Sequence, residues 1–293
     1  MIIVRLMGGL GNQMFQYALG RRLSLLHNTE LKIDISLLGN ETSIDTKRKY
    51  ELGIFGIDTI ANNNDLKPYR VIQSSSFKRR LHYRLPQWCF SHHIIPEPSH
   101  AFNPGIFKSP DNSFFTGFWQ TQKYFIDIAQ TILDDFSFNP SLDDVNRKIA
   151  EKINSGNSVS IHIRRGDYVS NPTTQKYHGI CSIEYYQSAV KQLLANQSDL
   201  QLFVFSDDTE WVKRNLHFDL PTEYIKGNTG NKSYIDMQLM SLCKHNIIAN
   251  SSFSWWAAWL NKNKGKMVIA PIKWFEDSTV DTKDVIPESW IKL

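Results

Sequence analysis

Two adjacent arginines, Arg164 and Arg165, follow directly after an apolar segment of the chain, residues 159–163. A guanidinium group is always charged, and its planar fork of donors matches the oxygens of a phosphate. Two such groups at the end of a buried strand are costly unless an anion pairs with them. Gly166 would let the backbone turn sharply and approach a ligand closely. The pattern predicts a diphosphate site; in the alternative interpretation, one arginine pairs with Asp167 and simply ends the strand.

Polar residues also follow two other apolar segments in this half of the chain. Residues 202–205 lead into Asp207, and residues 246–249 lead into Asn250. Ligands of parallel α/β sheets bind outside the carboxyl ends of the strands. We therefore expect these polar residues to converge with Arg164, and we expect Asp207 to accept hydrogen bonds from a nucleoside base or ribose.

Three serines, Ser251, Ser252 and Ser254, lie where a further helix is predicted to begin. Backbone N–H groups and the helix dipole favour an anion at such a position. Ordinary capping of the helix is the alternative, and one hydroxyl can serve both purposes. His162 precedes Arg164 by two positions, so the two side chains are predicted to lie on the same face of the strand.

From about residue 139 onward, predicted strands and helices alternate, which is typical of a parallel, doubly wound sheet. A Ser-x-x-Asp pattern at Ser233 and Asp236 predicts a capping box for the helix that ends near Cys243. The predicted strands are residues 159–163, 202–205, 246–249 and 267–270, and the predicted helices are residues 145–153, 183–195, a short segment after 209, 234–243 and a segment from 253 onward.

The first part of the chain has a simpler pattern. An apolar strand at residues 2–6, a glycine-rich turn, a helix broken at Asn28 and a strand at residues 31–35 predict a βαβ unit. A glycine-rich turn alone is a weak indication of ligand binding. Residues 40–115 contain many prolines and are predicted to be irregular.

Composition limits the possible functions. The 293 residues are 41% hydrophobic and 12% aromatic, as expected of a globular protein. The net charge of +4 is too small to require nucleic acid, although it suits an anionic ligand or membrane surface. A basic cluster at residues 78–84 indicates either a solvated face or attraction to an anionic membrane. Three distant cysteines, no apparent leader and no long apolar segment indicate a cytoplasmic protein without disulfides.

The sequence contains no Asp-x-Asp triplet and no His/Cys cluster with metal-ligand spacing. We therefore expect a site without metal, in which cations and helix ends stabilise a leaving diphosphate. Trp255, Trp256 and Trp259 share one predicted helix, where packing in the core is favoured over stacking against a sugar.

Several motifs together resemble the α-1,2-fucosyltransferase family, whose members use GDP-L-fucose and invert the anomeric centre. The matching blocks occur in the family's order and span nearly the whole chain. They are GGLGNQMFQYA at residues 8–18, GFWQ through KYF at 117–125, HIRRGDYV at 162–169, FSDD at 205–208, DMQLMS at 236–241 and NSSFSWW at 250–256. Residues 40–112 match loosely, and acceptor preference is expected to lie there.

The resemblance implies a GT-B-like α/β fold, with two Rossmann-type domains whose parallel sheets face a central cleft. Residues 1–138 would form the acceptor-side domain, and residues 139–293 would bind GDP-fucose. By position, Arg164 would hold the β-phosphate with support from Arg165. His162 and Asp207 would contact the guanosine. Asn250, Ser251, Ser252 and Ser254 would complete the donor site, and Gly9, Asn12 and Gln13 would lie on the acceptor side of the cleft.

The implied reaction is transfer of L-fucose from GDP-L-fucose to the 2-hydroxyl of a terminal galactose, without a cofactor. Asp167 is a candidate general base; it could instead be an ion-pair partner of the arginines, with a leaving phosphate oxygen taking the proton. The acceptor would be an oligosaccharide or lipid-linked glycan of a bacterial surface polysaccharide, which allows weak peripheral contact with the inner membrane. The alternatives are another GDP-sugar transferase and a non-enzymatic module that binds anions or lipids.

Overall fold

The computed structural model describes residues 1–39, 48–73, 91–166 and 179–293. These residues form two compact units, Met1–Ser137 and Phe138–Leu293. The basic cluster at residues 78–84, Cys89 and the candidate base Asp167 lie outside the described residues.

The first unit is built on a parallel sheet with the strand order β2-β1-β4-β3. The predicted βαβ unit is confirmed, because β1 and β2, which precede and follow helix α1 in the chain, pair in parallel. The strands are β1 (Ile2–Arg5), β2 (Leu31–Asp34), β3 (His93–Pro96) and β4 (Ser113–Thr116), and the helices are α1 (Leu10–His27), α2 (Asn63–Gln73) and α3 (Ala129–Asp135).

Local sequence explains how helix α1 ends and packs. Asn28 adopts the left-handed conformation at φ 49°, and its backbone N–H bonds to the Leu25 carbonyl, which closes the helix. Gly20 lies against the sheet, where an added Cβ would come within 2.6 Å of both Val4 and Leu31. A larger residue at position 20 would therefore push α1 away from β1 and β2.

The prediction that residues 40–115 are irregular is wrong for β3, β4 and α2. Strands β3 and β4 have four residues each and lie between prolines, which normally indicate turns and irregular segments. Helix α2 contains Pro68, which normally breaks a helix, yet it buries Leu66 and Tyr69 against Ile3 and Phe114 of the sheet. Tertiary packing of this apolar face therefore outweighs the local preference.

The second unit contains a fully parallel sheet with the strand order β10-β9-β8-β5-β6-β7. The predicted doubly wound pattern is confirmed, and the short strands β7 and β10 were not predicted. The strands are β5 (Asn157–Ile163), β6 (Leu200–Ser206), β7 (Thr222–Tyr224), β8 (His245–Ile247), β9 (Val268–Ala270) and β10 (Ile291–Lys292). The helices are α4 (Asp144–Ser155), α5 (Ile183–Leu194), α6 (Thr209–Asn215), α7 (Tyr234–Leu242) and α8 (Ser252–Leu260).

Side-chain caps begin several of these helices, but the predicted capping box of α7 is wrong. Ser233 has helical backbone angles of φ −58° and ψ −28°, and its side chain makes no capping hydrogen bond. An N-cap residue needs an extended backbone, which Ser233 cannot adopt because it follows directly on a 3-10 turn at Gly230–Lys232. The Asp236 carboxylate instead accepts a hydrogen bond of 2.8 Å from the Asn228 amide.

The tryptophans of α8 confirm the core interpretation. Trp255 and Trp256 are fully buried, and the indole N–H of Trp255 donates to the Val285 carbonyl at 2.8 Å. Trp259 is half-buried, with its ring 5.3 Å from that of Trp256. The buried pair therefore anchors the body of α8 in the core.

Candidate functional site

Strand register brings three of the predicted polar segments to one edge of the second sheet. Strands β5 and β6 pair so that Ile163 lies beside Ser206, and β5 pairs with β8 so that Ile161 lies beside Ile247. The residues after all three strands therefore emerge at the carboxyl edge, where ligands of such sheets bind. The central sequence prediction, that the arginines and the segments at 207 and 250 converge, agrees with this arrangement.

Asp207 links the two arginine positions. Its Oδ2 atom lies 2.7 Å from Arg164 Nη1, and its Oδ1 atom accepts a 2.8 Å hydrogen bond from the backbone N–H of Arg165. A Cβ at Gly166 would lie 2.7 Å from the same carboxylate. Gly166 therefore makes room for Asp207 itself. The predicted role of Asp207 in binding a nucleoside competes with these contacts, because both of its oxygens already have partners within the chain.

Arg165 is held by helix α6. Its guanidinium carbon lies 3.4 Å from the centre of the Trp211 ring, and its Nε atom is 3.6 Å from Asp208 Oδ2. The side chain is 15% exposed, and Nε has no hydrogen-bond partner within the described residues. Trp211 was not predicted as a site residue. The sequence signal that could have indicated it is Asp208, whose carboxylate caps helix α6 by accepting a hydrogen bond from the Trp211 N–H.

Arg164 pairs with Asp207, and Arg165 lies near Asp208. The alternative partner suggested by the sequence, Asp167, lies outside the described residues. Arg164 remains the more accessible of the two arginines, with 26% of its side chain exposed. Because two arginines face two aspartates, these four side chains carry no net charge. Any attraction of an anion to this edge would therefore depend on Arg164 and on the N-terminus of α8, which begins at the same edge after β8.

His162 is buried beside Arg164 and does not add positive charge. Its ring packs 5.8 Å from that of Phe253, and its Nδ1 atom has no hydrogen-bond partner within the described part of the chain. Burial, and after it the Arg164 guanidinium, lowers the pKa of His162 to about 4. The imidazole is therefore neutral at pH 7 and can take part only as a hydrogen-bonding group.

The predicted serines divide into two groups. Ser251 and Ser252 are half-buried at the N-terminus of α8, where the Ser251 hydroxyl accepts a 3.4 Å hydrogen bond from the Phe253 N–H. Ser254 is fully buried, and its hydroxyl donates to the Ser251 carbonyl at 3.3 Å. Ordinary capping thus accounts for Ser251, while Ser254 supports the first turn from inside.

Asn250 also points into the protein. It is 4% exposed, its amide donates to the Trp274 carbonyl at 3.3 Å, and its Oδ1 atom accepts from the Cys181 thiol at 3.5 Å. The structure therefore brings Arg164, Ser251 and Ser252 to the surface of the edge, whereas Asn250 and Ser254 lie beneath it. Within the described residues, no group of three or more His, Cys, Asp and Glu side chains is placed to hold a metal ion.

The residues predicted for the acceptor side lie on the first unit, after strand β1. Gly9 is the N-cap of α1, and Asn12 Oδ1 accepts a 2.8 Å hydrogen bond from Gln120 Nε2. Gln13 is fully buried; it donates to the Lys49 carbonyl at 2.8 Å and accepts from the Glu51 N–H at 2.9 Å. Gln13 therefore fixes the segment that contains Lys49 and Glu51. Asn12, the neighbouring residue, is half-buried.

The two parallel α/β units, each with polar residues after the strands, have a GT-B-like architecture. The model of glycosyl transferase family 11 matches residues 1–293, and the chain belongs to this family. It is 36% identical over 299 residues to an alpha-1,2-colitosyltransferase of Escherichia coli, covering 100% of this chain and 98% of the relative. It is also 34% identical over 306 residues to the Escherichia coli O-antigen biosynthesis glycosyltransferase WbnK, covering 98% of this chain and 99% of the relative.

A solved structure supports the fold. The chain is similar to an Arabidopsis thaliana FUT1 variant in complex with GDP, with a TM-score of 0.52 and 14% identity, over 91% of this chain and 69% of that one. Among the residues that the structure describes, no helix combines the length and apolar character needed to cross a membrane.

Proposed function

We propose that this family 11 glycosyltransferase moves L-fucose from GDP-L-fucose to the 2-hydroxyl of a terminal galactose, forming an α-1,2 linkage with inversion and without a metal. The motif blocks that resemble α-1,2-fucosyltransferases support the donor and the acceptor. The α-1,2 linkage in the name of the colitosyltransferase relative supports the position of attack. The O-antigen relative supports a bacterial surface polysaccharide, or its lipid-linked precursor, as the source of the acceptor.

The observation that carries this proposal is that Arg164 follows β5 at the same sheet edge where α8 begins after the neighbouring strand β8. In the proposed step, the acceptor oxygen forms a bond to the anomeric carbon from the side opposite GDP. The bond from that carbon to the β-phosphate oxygen breaks, and its electron pair stays on the phosphate. Negative charge therefore grows on the leaving group, where a guanidinium and backbone N–H groups stabilise it.

The neighbouring residues would position Arg164. Asp207 holds the guanidinium in place through the 2.7 Å contact, so less side-chain freedom is lost when the donor binds. Arg165 would support the same turn from its stack on Trp211. The proton of the acceptor hydroxyl would pass to Asp167 or to an oxygen of the departing phosphate, which are the two routes we propose.

Transfer of colitose is the second candidate function, and the 36% identity to a colitosyltransferase favours it. Colitose is L-fucose without its 3-hydroxyl. The diphosphate site would serve both donors, and only the sugar pocket would differ. A pocket built to hydrogen-bond a hydroxyl discriminates strongly against the sugar that lacks it.

The test is a transfer assay with three donors, GDP-L-fucose, GDP-colitose and GDP-mannose, against a panel of β-galactosides in the presence of a chelator. We expect the highest kcat/KM with GDP-L-fucose, and NMR of the product should show an α-1,2 linkage. Preference for GDP-colitose would assign the second function instead. Loss of transfer on chelation would refute metal independence, and transfer of mannose alone would refute both donor assignments.

A further inference from the structure

A crevice at the amino edge of the second sheet is lined by polar side chains and one glycine. It has a volume of about 590 Å³, and its lining comes from the start of β5 and from the segments that precede β6, β8 and β9. Because β5 runs from Asn157 to Ile163 at about 3.3 Å per residue, roughly 20 Å separate the crevice from the edge that carries Arg164. The crevice is therefore a different site from the donor edge.

Two amide side chains of the crevice use their nitrogen atoms within the chain. Asn157 Nδ2 donates to the Ser198 carbonyl at 2.8 Å, and Asn263 Nδ2 donates to the Cys243 carbonyl at 3.1 Å. Asn157 is half-buried and Asn263 is exposed, and both line the crevice. Their oxygen atoms therefore remain as hydrogen-bond acceptors for a ligand.

His245 supplies a fixed donor to the same crevice. It is 4% exposed, and its Nδ1 atom accepts a 3.0 Å hydrogen bond from the Met267 N–H. Burial, and after it the charge of Lys244, lowers the pKa of His245, so the imidazole is neutral at pH 7. Its ring hydrogen is therefore on Nε2, which has no protein partner within the part of the chain that the structure describes. Because His245 lines the crevice, this N–H group can donate to a ligand there.

The charged groups of the crevice have mixed signs. Lys244 and Lys264 contribute two ammonium groups, Asp199 contributes one carboxylate, and all three side chains are exposed. Among the described residues, none of the three makes an ion pair. A phosphate would be repelled by Asp199 and could not use the amide oxygens, which accept hydrogen bonds but do not donate them. A hydroxyl-rich ligand can use both the donors and the acceptors.

We propose that this crevice binds a saccharide chain, namely the part of the acceptor glycan that extends away from the reacting galactose. Each sugar hydroxyl can donate to the amide and carboxylate oxygens and accept from the imidazole and ammonium groups. A second contact with the same acceptor raises the effective concentration of the acceptor at the first site, so a long glycan binds more tightly than a short one. This inference rests on the proposed function for the identity of the glycan.

The first experiment compares steady-state transfer by Lys264→Ala with transfer by Lys148→Ala, the matched control at an exposed lysine of α4 outside the crevice. The two acceptors are lactose and a poly-N-acetyllactosamine decasaccharide that ends in galactose. We expect the KM for the decasaccharide to rise about fivefold in Lys264→Ala alone, because one hydrogen bond is lost. The KM values for lactose and for the GDP-sugar should remain unchanged. An unchanged decasaccharide KM, or an equal rise for lactose, would overturn the assignment.

Asp199→Asn distinguishes a saccharide site from an anion site. Asparagine keeps an acceptor oxygen and tolerates the left-handed backbone of this position, φ 54°, so the decasaccharide KM should stay within about threefold of wild type. Inorganic phosphate should not compete with the decasaccharide in either protein. Competition by phosphate that strengthens in Asp199→Asn would show an anion site and refute the saccharide.

Direct binding distinguishes failure of this inference from failure of the proposed function. Titration of the 15N-labelled full chain with the decasaccharide needs neither donor nor turnover. We expect the amide signals of Asp199, His245 and Gly265 to shift in the wild type and to stay in place in Ser198→Trp, whose indole would fill the crevice. Such shifts support the site even if GDP-L-fucose proves to be the wrong donor. Absence of these shifts in the wild type, or equal shifts in Ser198→Trp, would refute it.

Discussion

Replacing Arg164 by alanine should separate catalysis from stability. Loss of one preorganised charge-stabilising donor typically costs about 3 kcal/mol in the transition state, or on the order of a hundredfold in kcat. The effect on folding should be much smaller. Arg164 and Asp207 are 26% and 25% exposed, and ion pairs near solvent contribute only about 0.2–1 kcal/mol. Asp207 also keeps its hydrogen bond from the Arg165 N–H, so no buried carboxylate is left without a partner.

The assay combines steady-state transfer from GDP-L-fucose with urea unfolding of the same preparations. Arg147→Ala is the matched control, because Arg147 is 60% exposed and pairs with Asp144 on the outside of the same unit. We expect the control to transfer fucose at the wild-type rate. Transfer by Arg164→Ala within about threefold of wild type would refute the role of Arg164. A large loss of unfolding free energy in that variant would refute the separation of catalysis from stability.

Two further predictions concern the supporting residues. A double-mutant cycle of Arg165→Ala and Trp211→Ala should give a coupling free energy of about 1 kcal/mol in urea unfolding, because the Arg165 guanidinium stacks on the Trp211 ring at 3.4 Å. A coupling free energy near zero would show that the stack contributes nothing to stability. Burial raises the pKa of Asp236 from 3.8 to about 6, so the folded state holds a proton that the unfolded chain releases, and stability falls as pH rises from about 4 to about 6. The free energy of unfolding of Asp236→Asn should therefore exceed that of wild type by about 3 kcal/mol at pH 7 and match it near pH 4. Equal stability at both pH values would contradict the assigned cause.

The sequence by itself predicted much of the second unit. Alternation of apolar segments with amphipathic helices is a local property, so β5, β6, β8, β9 and the intervening helices could be read directly from it. The position of Arg164 after β5 could be predicted for the same reason, because the carboxyl end of a parallel strand is a fixed feature of the fold. Strands β8 and β9 are short, but they belong to the apolar segments at 246–249 and 267–270. Strands β3 and β4 lie in the proline-rich part of the chain, and β7 and β10 lack a continuous apolar segment, so these four strands could not be predicted.

Only the tertiary structure decided which side chains meet. Asp207 lies beside Arg164 because the hydrogen-bond register of β5 and β6 sets Ile163 next to Ser206, and no local pattern specifies that register. The same holds for Gln120 and Asn12, which are 108 positions apart in the chain. Local periodicity fixes which face of an element is apolar, but partners across the sheet depend on register and packing, which arise only when distant segments fold together.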